Sequence, residues 1–249
     1  MEAPHDTDAL HHTDPLHHPD ALTAQRRSVV DYGRRMVADG LVIGASGNLS
    51  VRVGDLIAVT PSGVPYDEVT ADTVAICRLD GAEVDAPLPP TTELPMHLLA
   101  YERTAAYAVV HTHSTAATAV STLVDELPSV HYLVAMFGGP VRVAAYATYG
   151  TPELVANVAA ALDGRTGCLL ANHGTLTVGD SLAQAYARAQ YLEWLCDVWL
   201  RAQAVGSPRL LSDAEIARVV SKLATYGPGN GPEQEHGRAT SAGATPDPA

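Results

Sequence analysis

The chain is expected to form an α/β domain, a mixed sheet covered by helices, and three observations lead there. Short apolar runs alternate with stretches of helical spacing through most of the sequence. Two of those runs are joined by a two-residue turn, Gly54-Asp55, the mark of an antiparallel hairpin. The succession of helices and strands also lacks the strict βαβ rhythm of a doubly wound dinucleotide fold.

The elements follow in order. Residues 22–39 carry Leu22, Val29, Val30, Tyr32, Met36 and Val37 at helical spacing, with Gly40 placed as a left-handed stop. Residues 49–53 and 56–60 form the hairpin, and 74–79, before Asp80-Gly81, a further strand. Thr91-Thr92-Glu93-Leu94-Pro95 opens a helix through Arg103, with proline in the first turn, where its missing N–H has no partner to lose. A strand over 107–111, a small-residue helix over 115–123 and a strand over 141–146 come next. Thr151-Pro152-Glu153 caps a helix that runs to Leu162 and stops at Gly164. Strands around Cys168 and Leu176 precede a long helix over 181–203, apolar at Leu182, Tyr186, Leu192, Leu195 and Trp199. Ser212-Asp213-Ala214-Glu215 has the spacing of a capping box for a last helix.

With 249 residues, 47% of them hydrophobic, the chain can bury a full core. Residues 1–20 hold five of the eleven histidines (His5, His11, His12, His17 and His18) with little apolar periodicity, which predicts a disordered His-rich tail. Residues 227–249 read as a flexible Gly/Pro-rich tail, so the domain spans 21–226. The 28 acidic against 15 basic residues give a formal charge of −13, which repels phosphodiester backbones and anionic lipid surfaces and argues against nucleic-acid and membrane partners. Cys77, Cys168 and Cys196 have no CxxC spacing and support neither a disulfide frame nor a thiolate zinc site. No apolar run approaches the ~18 residues of a membrane span and no secretory h-region is present, so a cytoplasmic location is expected.

The chemistry centres on Val109-Val110-His111-Thr112-His113-Ser114, where an apolar run ends in two histidines spaced i, i+2. Side chains of an extended segment alternate faces, so both imidazoles point the same way. A second apolar run, Cys168-Leu169-Leu170-Ala171-Asn172, ends in His173-Gly174 and supplies a third nitrogen. A lone histidine after a strand is ordinarily solvated or satisfied within a core, and one HxH pair is a weak signal. Two strand-end clusters beside small residues favour a metal, and three imidazoles leave the open coordination position of a catalytic site. The turns Ala45-Ser46-Gly47-Asn48-Leu49-Ser50 and Thr60-Pro61-Ser62-Gly63, with Thr91-Thr92 at a helix start, offer hydroxyls, an amide and backbone N–H groups for an anion. Glu93, in that helix's first turn, ordinarily reads as a partner of the helix dipole worth ~0.3–1 kcal/mol; beside a metal it becomes a candidate base.

Ser46-Gly47-Asn48-Leu49-Ser50, Thr60-Pro61-Ser62-Gly63, Thr91-Thr92-Glu93, His111-Thr112-His113-Ser114, His131-Tyr132, Tyr149-Gly150-Thr151 and Asn172-His173-Gly174 together resemble, in order and spacing, the class II aldolase/adducin family over residues 21–226. The resemblance implies a three-layer fold with a central mixed, largely antiparallel sheet flanked by helices. It matches His111, His113 and His173 to zinc ligands, with Mn2+ or Co2+ as substitutes, and Glu93 to the carboxylate that moves protons there. Asn48, Ser62, Gly63, Thr91 and Thr92 fall on phosphate-binding positions, and Tyr132 on the tyrosine serving the aldehyde oxygen. Tyr226 matches a tyrosine that reaches a neighbouring subunit's site, in a homotetramer with active sites between subunits.

The implied reaction is reversible cleavage of a ketose 1-phosphate, L-fuculose 1-phosphate or a 5-deoxypentulose 1-phosphate, to dihydroxyacetone phosphate and an aldehyde. Thr91-Thr92 replaces the family's more usual Ser-Ser and Tyr149 an aromatic usually Phe, changes that bear on the sugar and leave the reaction type intact. A pentulose-phosphate 4-epimerase of the same superfamily would carry Asp at the position of Glu93 and a second acid after HxH, yet no Asp or Glu lies between Leu127 and Pro152. A dehydratase or decarboxylase is excluded only weakly, and a non-catalytic adducin-like interaction domain would have no reason to keep three ligands, a carboxylate and an anion cradle. A cupin would place a glutamate a few residues after HxH, where the next is Glu126.

Overall fold

The structure, a computed structural model, describes residues 19–223. Residues 1–18 of the expected N-terminal tail, the C-terminal tail and Tyr226 lie outside the described residues. Helix α1 (Pro19–Ala38) starts two residues ahead of the expected domain boundary. It ends as Gly40 demands: Gly40 takes φ 69°, its N–H donates to the Val37 carbonyl at 3.1 Å, and the Leu41 N–H reaches back to Met36 at 2.8 Å. This is a Schellman closure, in which glycine takes up the left-handed turn. Val29, Val30 and Met36 are buried as their spacing predicts; Val37 instead stays 46% exposed.

Strands β1 (Asn48–Val53) and β2 (Leu56–Val59) form the expected hairpin, with Val53 paired to Leu56 across Gly54-Asp55. Then come β3 (Ala75–Arg78), β4 (Glu83–Asp85), α2 (Leu94–Arg103), β5 (Ala108–Thr112), α3 (Thr115–Ser121) and β6 (Glu126–Leu127). A 3₁₀ turn (Tyr132–Phe137), β7 (Val141–Ala144), α4 (Pro152–Leu162), β8 (Gly167–Leu170), β9 (Gly174–Gly179), α5 (Leu182–Val205) and α6 (Asp213–Leu223) complete the described chain. Thr151 caps α4 through its hydroxyl and Ser181 caps α5, while Ser212 Oγ accepts from the Glu215 N–H at 3.2 Å ahead of α6. The two short strands and the 3₁₀ turn are absent from the sequence reading. β4 and β6 are too brief to show alternation, and β4 is a charged, exposed edge of the kind that blunts edge pairing.

The strands make one nine-stranded sheet in the order β4-β3-β2-β1-β5-β9-β8-β7-β6. Only β7 and β8 are parallel, so the sheet is mixed and largely antiparallel. Alternation along the strands sends side chains to two cores. On one face Ile57, Val59, Val109 and Leu170 pack with Met96 and Leu99 of α2 and Leu154 and Val158 of α4. On the other, Leu56, Ala58 and Val110 meet Val29 and Met36 of α1 and Tyr186 of α5. Beyond them Leu169 and Val141 meet Val120 of α3, Phe137, and Leu192, Leu195 and Trp199 of α5. Helix, sheet and helix thus give three layers. No described helix is long and apolar enough to cross a membrane.

Helix α3 begins two residues after His113, and a side chain from α5 holds its start. The Glu193 carboxylate accepts from the Ala116 and Ala117 N–H groups, each at 2.8 Å, satisfying two donors that a helix N-terminus leaves open. Glu193→Ala is expected to lower unfolding stability by about 1–3 kcal/mol. Urea titration should show an earlier midpoint at an unchanged slope; an unmoved midpoint would contradict the capping role.

Candidate active site

The site forms where strand ends meet. β5 pairs with β1 on one side and β9 on the other, which sets Asn48 opposite His111 and Thr112 opposite Thr175. His113 follows β5 directly, and His173 sits in the turn between β8 and β9, whose Leu170 and Gly174 are paired. Two neighbours let that turn come close. Asn172 adopts the left-handed region at φ 56°, which asparagine tolerates better than most residues. At Gly174 a Cβ would lie only 2.0 Å from the Thr112 carbonyl oxygen. In Asn172-His173-Gly174, therefore, the asparagine turns the chain and the glycine permits contact with β5.

The three imidazoles consequently face one another, with ring centroids 4.8 Å apart for His111 and His113, 4.9 Å for His111 and His173, and 4.7 Å for His113 and His173. Glu93, the residue before α2, reaches them with Oε2 3.1 Å from His111 Nε2 and Oε1 3.3 Å from His173 Nε2. One donor atom from each of the four residues lies within 4.8 Å of all the others.

The tautomer of His111 follows from its surroundings. Its Nδ1 lies 2.7 Å from the Thr175 carbonyl oxygen, which can only accept, so Nδ1 carries the hydrogen and Nε2 presents a lone pair. That Nε2 is 2.9 Å from His113 Nε2, a separation at which two lone pairs repel unless a proton or a cation lies between them. Burial, with His111 adding to it, pushes His113 down to about 3 and His173 down to about 4, so both rings are neutral lone-pair donors near pH 7. Burial favours protonation of Glu93, but positive charge at His111 and His173, whether a proton or a bound cation, together with the Asn48 hydrogen bond outweighs it and holds the carboxyl well below the usual carboxylate range. Its Oε1 is buried and makes no hydrogen bond, an orphan that calls for a further occupant. Neutral imidazoles with one carboxylate and no thiolate suit a divalent cation of borderline softness.

A cleft of about 360 Å³ opens onto this group. The segment before α2 is zipped to the end of β2: Ser62 N–H donates to the Pro89 carbonyl, Thr91 N–H to the Thr60 carbonyl, and Pro61 bridges Pro90. Ser62-Gly63 and Thr91-Thr92 thereby share one wall of the cleft with Asn48. Among the described residues no Lys or Arg lines it. Tyr146 and Tyr149 line it while remaining 62% and 66% exposed.

Two of the expected residues behave differently. The Asn48 side chain is turned inward: Nδ2 donates to Glu93 Oε2 at 2.9 Å and Oδ1 accepts from His97 Nε2, which leaves one amide hydrogen for a ligand. Tyr132, 48% exposed with its ring against His131, lines no part of the cleft of its own chain. His97 and Tyr101, which the sequence reading passes over, and Ser50, which it names only within the turn of residues 45–50, are joined to the site through Asn48. The available signal was spacing: 93, 97 and 101 follow one helical ridge, and 48 and 50 one strand face.

The sequence pattern of the class II aldolase and adducin N-terminal domain matches residues 27–200. A 5-deoxy-D-ribulose 1-phosphate aldolase of Bacillus thuringiensis serovar kurstaki is 36% identical over 209 residues, 83% of this chain and 98% of that protein. An L-fuculose phosphate aldolase of Escherichia coli is 39% identical over 204 residues, 81% and 94% of the two chains. A solved L-fuculose 1-phosphate aldolase superposes with a TM-score of 0.78 at 36% identity, covering 81% of this chain and 96% of its own.

Gly174→Ala tests the close approach. A methyl group there must displace the Thr112 backbone, and overpacking of this kind costs about 1–3 kcal/mol. Denaturant titration and metal analysis should show an earlier midpoint with reduced retention of a divalent metal. An unchanged midpoint at full metal content would contradict the packing argument.

Proposed function

Because the chain belongs to the class II aldolase and adducin family, we propose that it is a zinc-dependent aldehyde-lyase that reversibly cleaves a ketose 1-phosphate to dihydroxyacetone phosphate and an aldehyde. The observation that carries this reading is the convergence of Glu93, His111, His113 and His173 beside a cleft walled by hydroxyls and backbone N–H groups. His111, His113 and His173 would hold the ion, zinc ahead of manganese or cobalt on the strength of three imidazoles. When bound, a divalent ion supplies a Lewis acid that offsets the negative charge developing on the sugar as its C3–C4 bond breaks.

This chain's residues do the rest. Ser62, Gly63, Thr91, Thr92 and the remaining amide hydrogen of Asn48 bind the phosphate and so fix the reacting carbons. In cleavage the electron pair of the C3–C4 bond stays with C3 as the C4 hydroxyl loses its proton and becomes the aldehyde oxygen. The C4 proton passes to Tyr132 of a neighbouring copy and on to water, from which the Glu93 carboxylate takes up the proton it then delivers to C3; in condensation the carboxylate removes a proton from C3. Oε2 is committed to Asn48, so Oε1 is the oxygen that exchanges this proton. Lysine Schiff-base chemistry has no candidate here: the chain's single lysine, Lys222, lies in α6 and not at the cleft.

Tyr132 reaches a cleft only from a neighbouring copy. Its exposed surroundings, with Leu133, Tyr191 and Trp194 lining a mainly apolar depression, support a homotetramer in which Tyr132 serves the aldehyde oxygen at a neighbouring subunit's site, the site that Tyr226 is also expected to reach. The relatives named for 5-deoxyribulose 1-phosphate and for L-fuculose phosphate support a 5-deoxypentulose or 6-deoxyhexulose phosphate as substrate. The products then differ by one carbon unit at the aldehyde, worth about 1–3 kcal/mol of discrimination. A cytoplasmic site of action completes the reading.

Incubation with dihydroxyacetone phosphate and either acetaldehyde or lactaldehyde should yield a ketose 1-phosphate, and a chelator should abolish it. His173→Ala should lose both metal and turnover. Glu93→Gln should keep the metal while C3 proton exchange falls by about 10²–10⁴-fold. Full turnover by metal-stripped protein would overturn the assignment.

A further inference from the structure

We propose that His97 is a positioning residue, which through Asn48 fixes the oxygen that Glu93 presents to the substrate. What Glu93 does rests on the aldolase reading above; how it is held rests on the structure alone.

Glu93, the residue before α2, and His97 and Tyr101 within it stand at successive i, i+4 positions, and Asn48 and Ser50 share one face of β1. Where ridge and strand meet, their side chains form a single chain of contacts. Tyr101 Oη lies 2.7 Å from Ser50 Oγ, Ser50 Oγ 2.8 Å from His97 Nδ1, His97 Nε2 2.5 Å from Asn48 Oδ1, and Asn48 Nδ2 2.9 Å from Glu93 Oε2. His97 and Ser50 are fully buried, and Asn48, Tyr101 and Glu93 are no more than 7% exposed.

The direction of every bond follows from its carboxylate end. An ionised carboxylate only accepts, so Asn48 must turn its NH2 group toward Glu93 and its carbonyl oxygen toward His97. That oxygen also only accepts, so His97 carries its hydrogen on Nε2. The neutral ring then has a bare Nδ1, which accepts from Ser50, and the Ser50 oxygen accepts from the Tyr101 phenol. Turning the amide over would set its carbonyl against the carboxylate, and His97 would then need a bare Nε2 to receive the NH2 group. The histidine tautomer therefore locks the amide, the amide occupies Oε2, and Oε1 is left without a hydrogen bond.

His97, Ser50 and Tyr101 line no part of the cleft, so their effect on chemistry passes through Asn48. A fully satisfied buried polar chain specifies one orientation more strongly than its individual bonds would. Apolar residues of the same volume could fill this space at comparable stability, but they would leave the amide free to rotate.

Two measurements test this. In metal-free wild-type protein with 15N-labelled histidine, NMR should find the His97 hydrogen on Nε2. In kinetics, His97→Phe keeps the bulk and removes both nitrogens, whereas His97→Gln restores an N–H group that can reach Asn48. His97→Phe should retain its metal and its KM for sugar phosphate, while kcat and C3 proton exchange on dihydroxyacetone phosphate fall about 10–100-fold. His97→Gln should recover to within a few-fold. The proposal is overturned by a hydrogen on Nδ1, by wild-type exchange in His97→Phe, or by loss of metal and turnover alike in both variants, the mark of a merely structural role. The NMR result decides the geometry even if His97→Phe fails to fold. A wild type that neither cleaves nor exchanges would overturn the aldolase reading and the role of Glu93, whereas an active wild type with the other tautomer would overturn only the positioning of Asn48.

Discussion

Crowding three imidazoles and a carboxylate into one buried corner is unfavourable unless a cation compensates them, and the architecture around that corner holds them together. The Nε2 atoms of His111 and His113 stand 2.9 Å apart, where two bare nitrogens would repel, and a buried carboxylate oxygen with no hydrogen bond forfeits its hydration. Rigid elements meet that demand. His111 ends a strand paired on both edges, His173 rides on a hairpin pressed against it by Gly174, and Glu93 stands at the foot of α2 beside β1.

The same arrangement reconciles an acidic chain with an anionic ligand. A formal charge of −13 would repel a phosphorylated sugar at long range, and among the described residues no Lys or Arg lines the cleft. On the proposed reading the attraction is local: the hydroxyls of Ser62, Thr91 and Thr92 and the backbone N–H groups of Gly63 and Thr92, beside the ion that the histidines would hold. Oriented dipoles of this kind lose little strength to solvent reorganisation, because the backbone fixes their direction before a ligand arrives. The zipper between residues 60–62 and 89–91 does this fixing.

Much of this was legible in the sequence, for definite reasons. His111 and His113 could be paired because a strand repeats every two residues, and the apolar run before them marked that strand. Thr151 and Ser212 were readable as caps because their hydroxyls satisfy donors that every helix start leaves open. β4 and β6 were not readable, being too short to show a period. Nor was the work of His97. A histidine on the inner face of a helix looks like any core residue until β1 is seen to place Ser50 and Asn48 against its two nitrogens. The inward turn of the Asn48 side chain was hidden for a similar reason, since sequence gives the strand face but not the partner across it. Tyr132 shows a third limit: its motif is recognisable, yet a single chain does not bring it to the cleft.

The central claim is that imidazoles from β5 and from the β8–β9 turn hold one divalent ion. X-ray absorption on the purified protein loaded with a single equivalent of zinc addresses it most directly. The account predicts a nitrogen and oxygen shell with outer scattering from three imidazole rings and no sulfur. A sulfur shell, or scattering from fewer than two rings, would contradict it.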